Sequence, residues 1–372
     1  MPTIASASPT APQIASQVVA KSHRRITELD SLRAMAAINL VLFHFTHVYV
    51  VKFGFSSPLG GEWPFGAYGV MLFFILSGFV NSMSLMRRGK SKDFLAARLI
   101  RIVPLFYIAI VANLLICQME PLSGTPITTA QFLANLTLMP RVFGYECIDP
   151  VMWTLQVEMM FYVLLVGLLR FGGLRNYFIG WGVLLFGSIT LCPTLDMLAA
   201  SHGEAVWFKF GTAVRHLLAL DFVPMFAIGF LLYQIKTKAG RLHWNIAGIL
   251  TAATIFHCID HGKHNPAATA LITAVVATAA WGRFPLLRFR PLVYVSGISY
   301  AIYLCHNNLG CVLLSTFDRA GVSPALCLVI VIAFSFSVGL LVTRRIEQPI
   351  TRRLQSLYQS RRAAVFGGGA TG

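Results

Sequence analysis

The chain has 372 residues, 56% hydrophobic and 12% charged, and its 30 Lys and Arg against 14 Asp and Glu give a formal net charge of +16. Soluble domains are about one quarter charged. A charge content half of that, with a mean hydropathy of +0.69, excludes both a disordered chain and an ordinary water-soluble enzyme. Seven cysteines over this length exclude a small disulfide scaffold. Apolar and basic together indicate a multi-span membrane protein whose positive charges are sorted to one side.

Residues 1–25 are rich in Ala, Ser, Thr and Pro, contain no apolar core of the signal-peptide kind, and read as a cytoplasmic tail. A hydrocarbon core about 30 Å thick takes roughly 20 helical residues. Ten stretches meet or approach that length, at about 32–52, 67–86, 98–118, 151–171, 176–192, 214–235, 244–260, 266–282, 292–315 and 324–346. No stretch shows the sustained two-residue alternation of a membrane barrel. The expected fold is all-α, a polytopic integral membrane helical bundle of about ten transmembrane helices with N- and C-termini cytoplasmic. Residues 26–350 form the transmembrane domain and residues 351–372 a basic, then Gly-rich, tail. With that topology, 24 of the 30 Lys and Arg fall on the cytoplasmic side, as the positive-inside rule requires. The expected location is a bacterial inner membrane.

Ionisable groups at membrane depth are costly and point to function. Arg33 opens the first stretch in LDSLRAMAAINLVLFHF, and His44 follows eleven residues later. At 3.6 residues per turn the two differ by only ~20° of rotation and about 16 Å along the axis, so they share one face. Arg98 and Arg101 open the third stretch in RLIRIVPLFY, spaced to face one way. At a helix N-terminus, with its free N–H groups, they would form a phosphate site. Glu158, in PVMWTLQVEMMFY, lies more than one turn into the fourth stretch, with Tyr162 on the same face. An uncompensated carboxylate there is expensive, so it must be protonated, paired or facing water. His306, in GISYAIYLCHNN, stands in the ninth stretch, and Glu347, in RRIEQP, ends the tenth beside Arg344 and Arg345.

Each has a structural reading as well. The arginines serve as interfacial anchors, the histidines as interhelical hydrogen-bonding groups, Glu158 as half of an ion pair, and Glu347 as a partner of Arg344 and Arg345. In HCIDHGKH, His257 and His261 have a chelating i,i+4 spacing, but the glycine-containing turn reads better as a solvated loop. A Cys117–Cys147 disulfide is left open. No CxxC, phosphate-loop or dinucleotide pattern appears. A transporter of an anionic or glycolipid solute would use the same buried groups, with inverted repeats that this sequence does not display.

Seven blocks in order resemble the membrane acyltransferase-3 family of O-acyltransferases, over about residues 26–350. They are LDSLRAMAAINLVLFHF with its Arg and His, GVMLFFILSGF, FLAARLIRIVPLFY, WTLQVEMMFY, FVPMFAIGFLL, VSGISYAIYLCHN and RRIEQP. The fourth matches the family's WSLxxExxFY block with Thr154 in place of the usual Ser. The resemblance implies transfer of acyl groups, usually acetyl from a coenzyme A thioester, to hydroxyls of a glycan or glycolipid. It makes Arg33 and His44 the essential pair, with Arg98 and Arg101 as the paired arginines. Glu158 is then the fourth-span acid, a catalytic candidate that would orient or charge-balance His44 or bind the acceptor sugar. His306 and Tyr162 are the candidate acceptor-binding residues. Acetyl-CoA as donor, no metal, a lipid bilayer and no nucleic acid complete the expectation. The chemistry agrees: a hydroxyl needs a base near neutral pH, which histidine supplies, and guanidinium groups suit the donor's phosphates.

Overall fold

A computed structural model describes residues 26–88, 91–119, 126–170, 173–202 and 206–367. Among these the chain is helical, with no strand. α1 runs Thr27–Lys52. It is followed by α2 Tyr68–Arg88, α3 Ser91–Met119, the short α4 Thr129–Leu136, α5 Trp153–Arg170, α6 Gly173–His202 and α7 Val206–Leu217. α8 Val223–Thr237, α9 Leu242–Ile259, α10 Pro266–Ala280, α11 Arg290–Cys305, α12 Asn307–Arg319, α13 Pro324–Val342 and α14 Gln348–Gly367 complete the order.

Seven helices among the described residues are long and apolar enough to cross a membrane, so the chain is a multi-pass membrane protein. α8 and α10 are apolar but have only 15 residues each, a rise of about 22 Å, short of a full hydrocarbon core. α8 is buried on every side from Val223 to Leu232, as an all-round apolar helix must be. It packs against α2 through two glycines. A Cβ at Gly78 would overlap the Phe226 carbonyl, and one at Gly229 the Ile75 carbonyl. The glycines of the LSGF and AIGF motifs therefore mark a close approach of two backbones in the protein centre.

Several boundaries differ from expectation. The sixth stretch, 214–235, divides at a turn in which Ala219 has φ 51°, so its first residues belong to α7. The third helix starts at Ser91 rather than near 98, because SKDFLAA continues the helical run ahead of Arg98. The ninth stretch is two helices that meet at His306. The basic segment expected as a tail is the helix α14, which docks on the start of α3: Arg362 pairs with Asp93 at 2.8 Å and the Tyr358 hydroxyl donates to it at 2.9 Å. The proposed tail at 1–25 and the last glycine-rich residues, 368–372, lie outside the described residues.

Candidate active site

α1 changes its winding at His44. Residues His44–Val48 form a π-helical turn, and the Tyr49 amide donates five residues back to the His44 carbonyl. A π turn inside an α-helix forfeits ordinary i to i−4 bonds and is commonly found at functional sites. Here the Thr46 hydroxyl donates to the Leu42 carbonyl at 2.7 Å and accepts the Trp63 amide at 3.0 Å. One side chain thus holds the turn and ties it to the loop before α2. The widened winding leaves His44 half-buried beside α11.

His306 faces His44 from the break between α11 and α12. Its Nε2 lies 3.1 Å from His44 Nδ1, with ring centroids 5.1 Å apart. His306 Nδ1 is 2.9 Å from the Tyr303 carbonyl and 3.1 Å from that of Ile302. Carbonyl oxygens only accept, so in the neutral ring Nδ1 of His306 carries the hydrogen and Nε2 is bare. That bare nitrogen accepts from His44 Nδ1–H, which leaves the lone pair of His44 on Nε2. The pairing leaves one histidine with a free ring nitrogen, Nε2 of His44, and gives the other the task of fixing its tautomer.

The break itself is clamped by Asp149, fully buried and not singled out from the sequence. One oxygen accepts the Asn307 side-chain amide at 2.9 Å and the Val151 amide at 3.2 Å, and the other lies 3.4 Å from the Asn308 amide. Burial pushes the carboxyl up to about 6, against the downward pull of these donors. Asp149→Asn would turn one accepting oxygen into an NH₂ group among donors. An unmet buried donor costs about 1–3 kcal/mol. The expected result is a loss of about tenfold or more in the rate constant of acyl transfer, with the donor KM unchanged, measured on purified protein.

A cavity of about 100 Å³ lies between α1, α2, α3, α5 and α11. Arg33, Arg98, Arg101, Glu158 and Tyr162 all line it, so five of the residues expected at the site are brought to one place. Leu40 and Tyr303, one turn before His44 and His306 respectively, line it as well. The histidine pair therefore stands next to the cavity rather than in its wall. Glu158 Oε1 accepts the Ser77 hydroxyl at 3.1 Å and the Tyr162 hydroxyl in a short hydrogen bond. The Arg98 guanidinium lies over the rings of Phe94 and Tyr162, at 5.4 and 5.7 Å. Arg33 is 3.6 Å from Asp30.

Three expectations about partners change. Arg98 is two turns inside α3, so its site draws on guanidinium groups and not on the free amides of a helix start. Glu158 sits among the arginines, and the hydrogen-bond partner of His44 is His306. Glu347 turns inward on a second π-helical segment, Thr343–Glu347, where it accepts the Thr343 hydroxyl at 3.1 Å and feels the charge of Arg101; Arg344 donates instead to Tyr294. Cys117 and Cys147 are both free thiols. In HCIDHGKH, Asp260 accepts the His264 amide and ring nitrogen, at 2.6 and 2.9 Å. Among the described residues no three His, Cys, Asp or Glu are grouped to hold a metal ion.

The chain is similar in sequence to known proteins. The acyltransferase-3 family model, described as an acyltransferase domain, matches residues 26–344. The exopolysaccharide production protein ExoZ of Rhizobium meliloti (strain 1021) is 25% identical over 314 residues, 80% of this chain and 93% of that protein. Nodulation protein 10 of Rhizobium leguminosarum bv. viciae is 28% identical over 319 residues, 74% of this chain and 81% of its own. The O-acetyltransferase OatA of Staphylococcus aureus (strain NCTC 8325 / PS 47) is 24% identical over 370 residues, 89% of this chain and 58% of OatA. No solved structure matches. The matched span begins just before α1 and ends in the second π-helical segment, enclosing both histidines, all three arginines and Glu158, so the chain belongs to the acyltransferase-3 family and is a membrane acyltransferase.

Proposed function

We propose that the protein is an O-acetyltransferase of a bacterial inner membrane, crossing it about ten times, that moves acetyl from cytoplasmic acetyl-CoA to hydroxyls of a glycan or glycolipid. The observation that carries this reading is the juxtaposition of three cavity arginines with a histidine pair at the cavity's inner end. Arg33, Arg98 and Arg101 meet the phosphates of coenzyme A by charge-assisted hydrogen bonds. The narrow cavity suits the pantetheine arm, which brings the thioester toward His44.

His44 Nε2 then removes the proton from the acceptor hydroxyl as its oxygen attacks the thioester carbonyl. The tetrahedral intermediate expels the thiolate, and the proton on His44 passes to it, giving coenzyme A. His306 Nε2 accepts the His44 Nδ1–H throughout and stabilises the imidazolium. The same His44 nitrogen has a second use, as a transient carrier of acetyl; acid quench with labelled donor alone separates the two, since only the carrier leaves label on the protein. Glu158 balances the arginine charge and, with Tyr162, shapes the donor channel. ExoZ and OatA, by name an exopolysaccharide production protein and an O-acetyltransferase, support a polysaccharide acceptor. The test is the O-acetyl content of surface glycans, read by proton NMR in cells with and without the protein. A loss of acetyl signal is expected on deletion, and an unchanged signal in every glycan fraction would contradict the reading.

A further inference from the structure

A second cavity, of about 560 Å³, lies toward the other end of the helices from Arg33, Arg98 and Arg101. Its walls come from the segment leading into α5, from α6 and α7, and from the end of α9. The volume is that of a small-molecule site, several times the cavity beside His44. Trp153, Phe222 and Phe256 supply aromatic surface. The Trp153 and Phe222 rings pack 5.0 Å apart, and the Arg141 guanidinium lies 5.9 Å from the Trp153 ring.

The charges of this cavity differ in kind from those of the inner one. Arg141, Arg215 and Lys263 are set against Glu146, Asp196, Asp221 and Asp260. The near balance gives no pull on a polyphosphate such as the donor. Arg215 is already engaged: it holds Asp196 and Asp221, each at 2.6 Å. That brace leaves Asp196 Oδ2 without a hydrogen-bond partner, 3.7 Å from His261 Nε2, on a side chain that is 36% exposed. A carboxylate oxygen in that state has acceptor capacity to offer. A wall of aromatic faces, with donors and acceptors interleaved and one acceptor unmet, is the chemistry that holds a neutral or weakly charged polyhydroxylated ring. Its C–H face stacks on an aromatic ring while its hydroxyls bridge carboxylates and guanidinium groups.

The two cavities abut. Trp153 lines the outer one and its neighbours Thr154 and Leu155 line the inner one. Phe74, also on the inner wall, contacts both Trp153 and Phe222, with centroids 6.2 and 5.0 Å away. Aromatic rings in direct contact, Phe74 on the inner side and Trp153 with Phe222 on the outer, stand between them.

We infer that this outer cavity is the docking site for a saccharide unit of the acceptor, with Trp153 as its stacking platform and the Asp196 carboxylate as a hydrogen-bond acceptor for a sugar hydroxyl. The inference rests on the acyltransferase reading for its purpose but not for its test. The probe is a set of base-deacetylated oligosaccharides released from the surface glycan of cells that carry the protein. These are titrated by calorimetry into full-length protein in lipid nanodiscs, without acetyl-CoA. Native protein should bind, Trp153→Ala and Asp196→Asn should bind at least tenfold more weakly, and Trp153→Phe should recover most of the affinity. Acetyl-CoA affinity, measured on the same samples, should match native for all three variants, which separates loss of the saccharide site from loss of the fold. No binding by native protein, or native affinity in Trp153→Ala and Asp196→Asn, overturns the site. Saccharide binding with the expected losses, but no acetyl transfer when donor is added, would instead count against the transferase reading and leave this one standing.

Discussion

Replacing His44 by Ala is expected to lower acyl transfer by about 10³-fold, within the ~10²–10⁴-fold range of a positioned acid–base group. Expression and acetyl-CoA affinity should stay near native, because His44 stands beside the arginine-lined cavity proposed for the donor without lining it. The loss follows from the tautomer argument. His306 Nε2 takes the His44 Nδ1–H, so the lone pair on His44 Nε2 is the one basic site the pair offers to a hydroxyl. His306→Phe should cost less, about 10–100-fold, because the base survives while its orientation and the acceptor for its Nδ1–H are lost. In the double variant the two losses should not add, since a residue that acts through another has nothing further to lose once that one is gone. Single-turnover transfer of radiolabelled acetyl measures all three; additive losses would assign His306 an independent role.

The second large effect concerns the donor. Arg98→Ala and Arg101→Ala should each raise the KM for acetyl-CoA by about 10–100-fold, the equivalent of one charge-assisted hydrogen bond at roughly 1.5–3 kcal/mol. The acceptor KM should be unaffected, since the arginines and the proposed saccharide site line different cavities. Arg33→Ala should act in the same direction. Steady-state kinetics with each substrate varied in turn decides the matter, and equal changes in donor and acceptor KM would contradict a phosphate site. Arg98→Lys should recover only part of the loss. A lysine keeps the charge but loses the planar fork, and with it the stacking that holds Arg98 over Phe94 and Tyr162.

Much of this site is legible in the sequence, for physical reasons. Arg33, Arg98, Arg101 and Glu158 are expensive at membrane depth, so their presence in apolar stretches was already a signal, and helical periodicity placed Arg33 and His44 on one face. The pairing of His44 with His306 was not legible, because it joins positions 262 residues apart in the chain through a helix break. The two asparagines after His306 are poor helix formers and hint at that break. The aspartate that clamps them lies in a different loop, with no local pattern to reveal it. The start of α3 is hidden from a hydropathy reading because polarity and helicity part company there: SKDFLAA is helical but more polar than the stretch it leads into. The outer cavity is hidden because its walls come from segments far apart in the chain, from the one leading into α5 to the end of α9.

The proposed passage of acetyl from coenzyme A to a saccharide hydroxyl under the control of His44 Nε2 has a direct test. Purified full-length protein in nanodiscs, given acetyl-CoA and deacetylated surface-glycan oligosaccharides, should release free coenzyme A thiol in step with acetylated oligosaccharide. The His44→Ala protein, tested alongside, should release neither above background while still binding acetyl-CoA. Acetylated product from His44→Ala at the native rate would contradict the account.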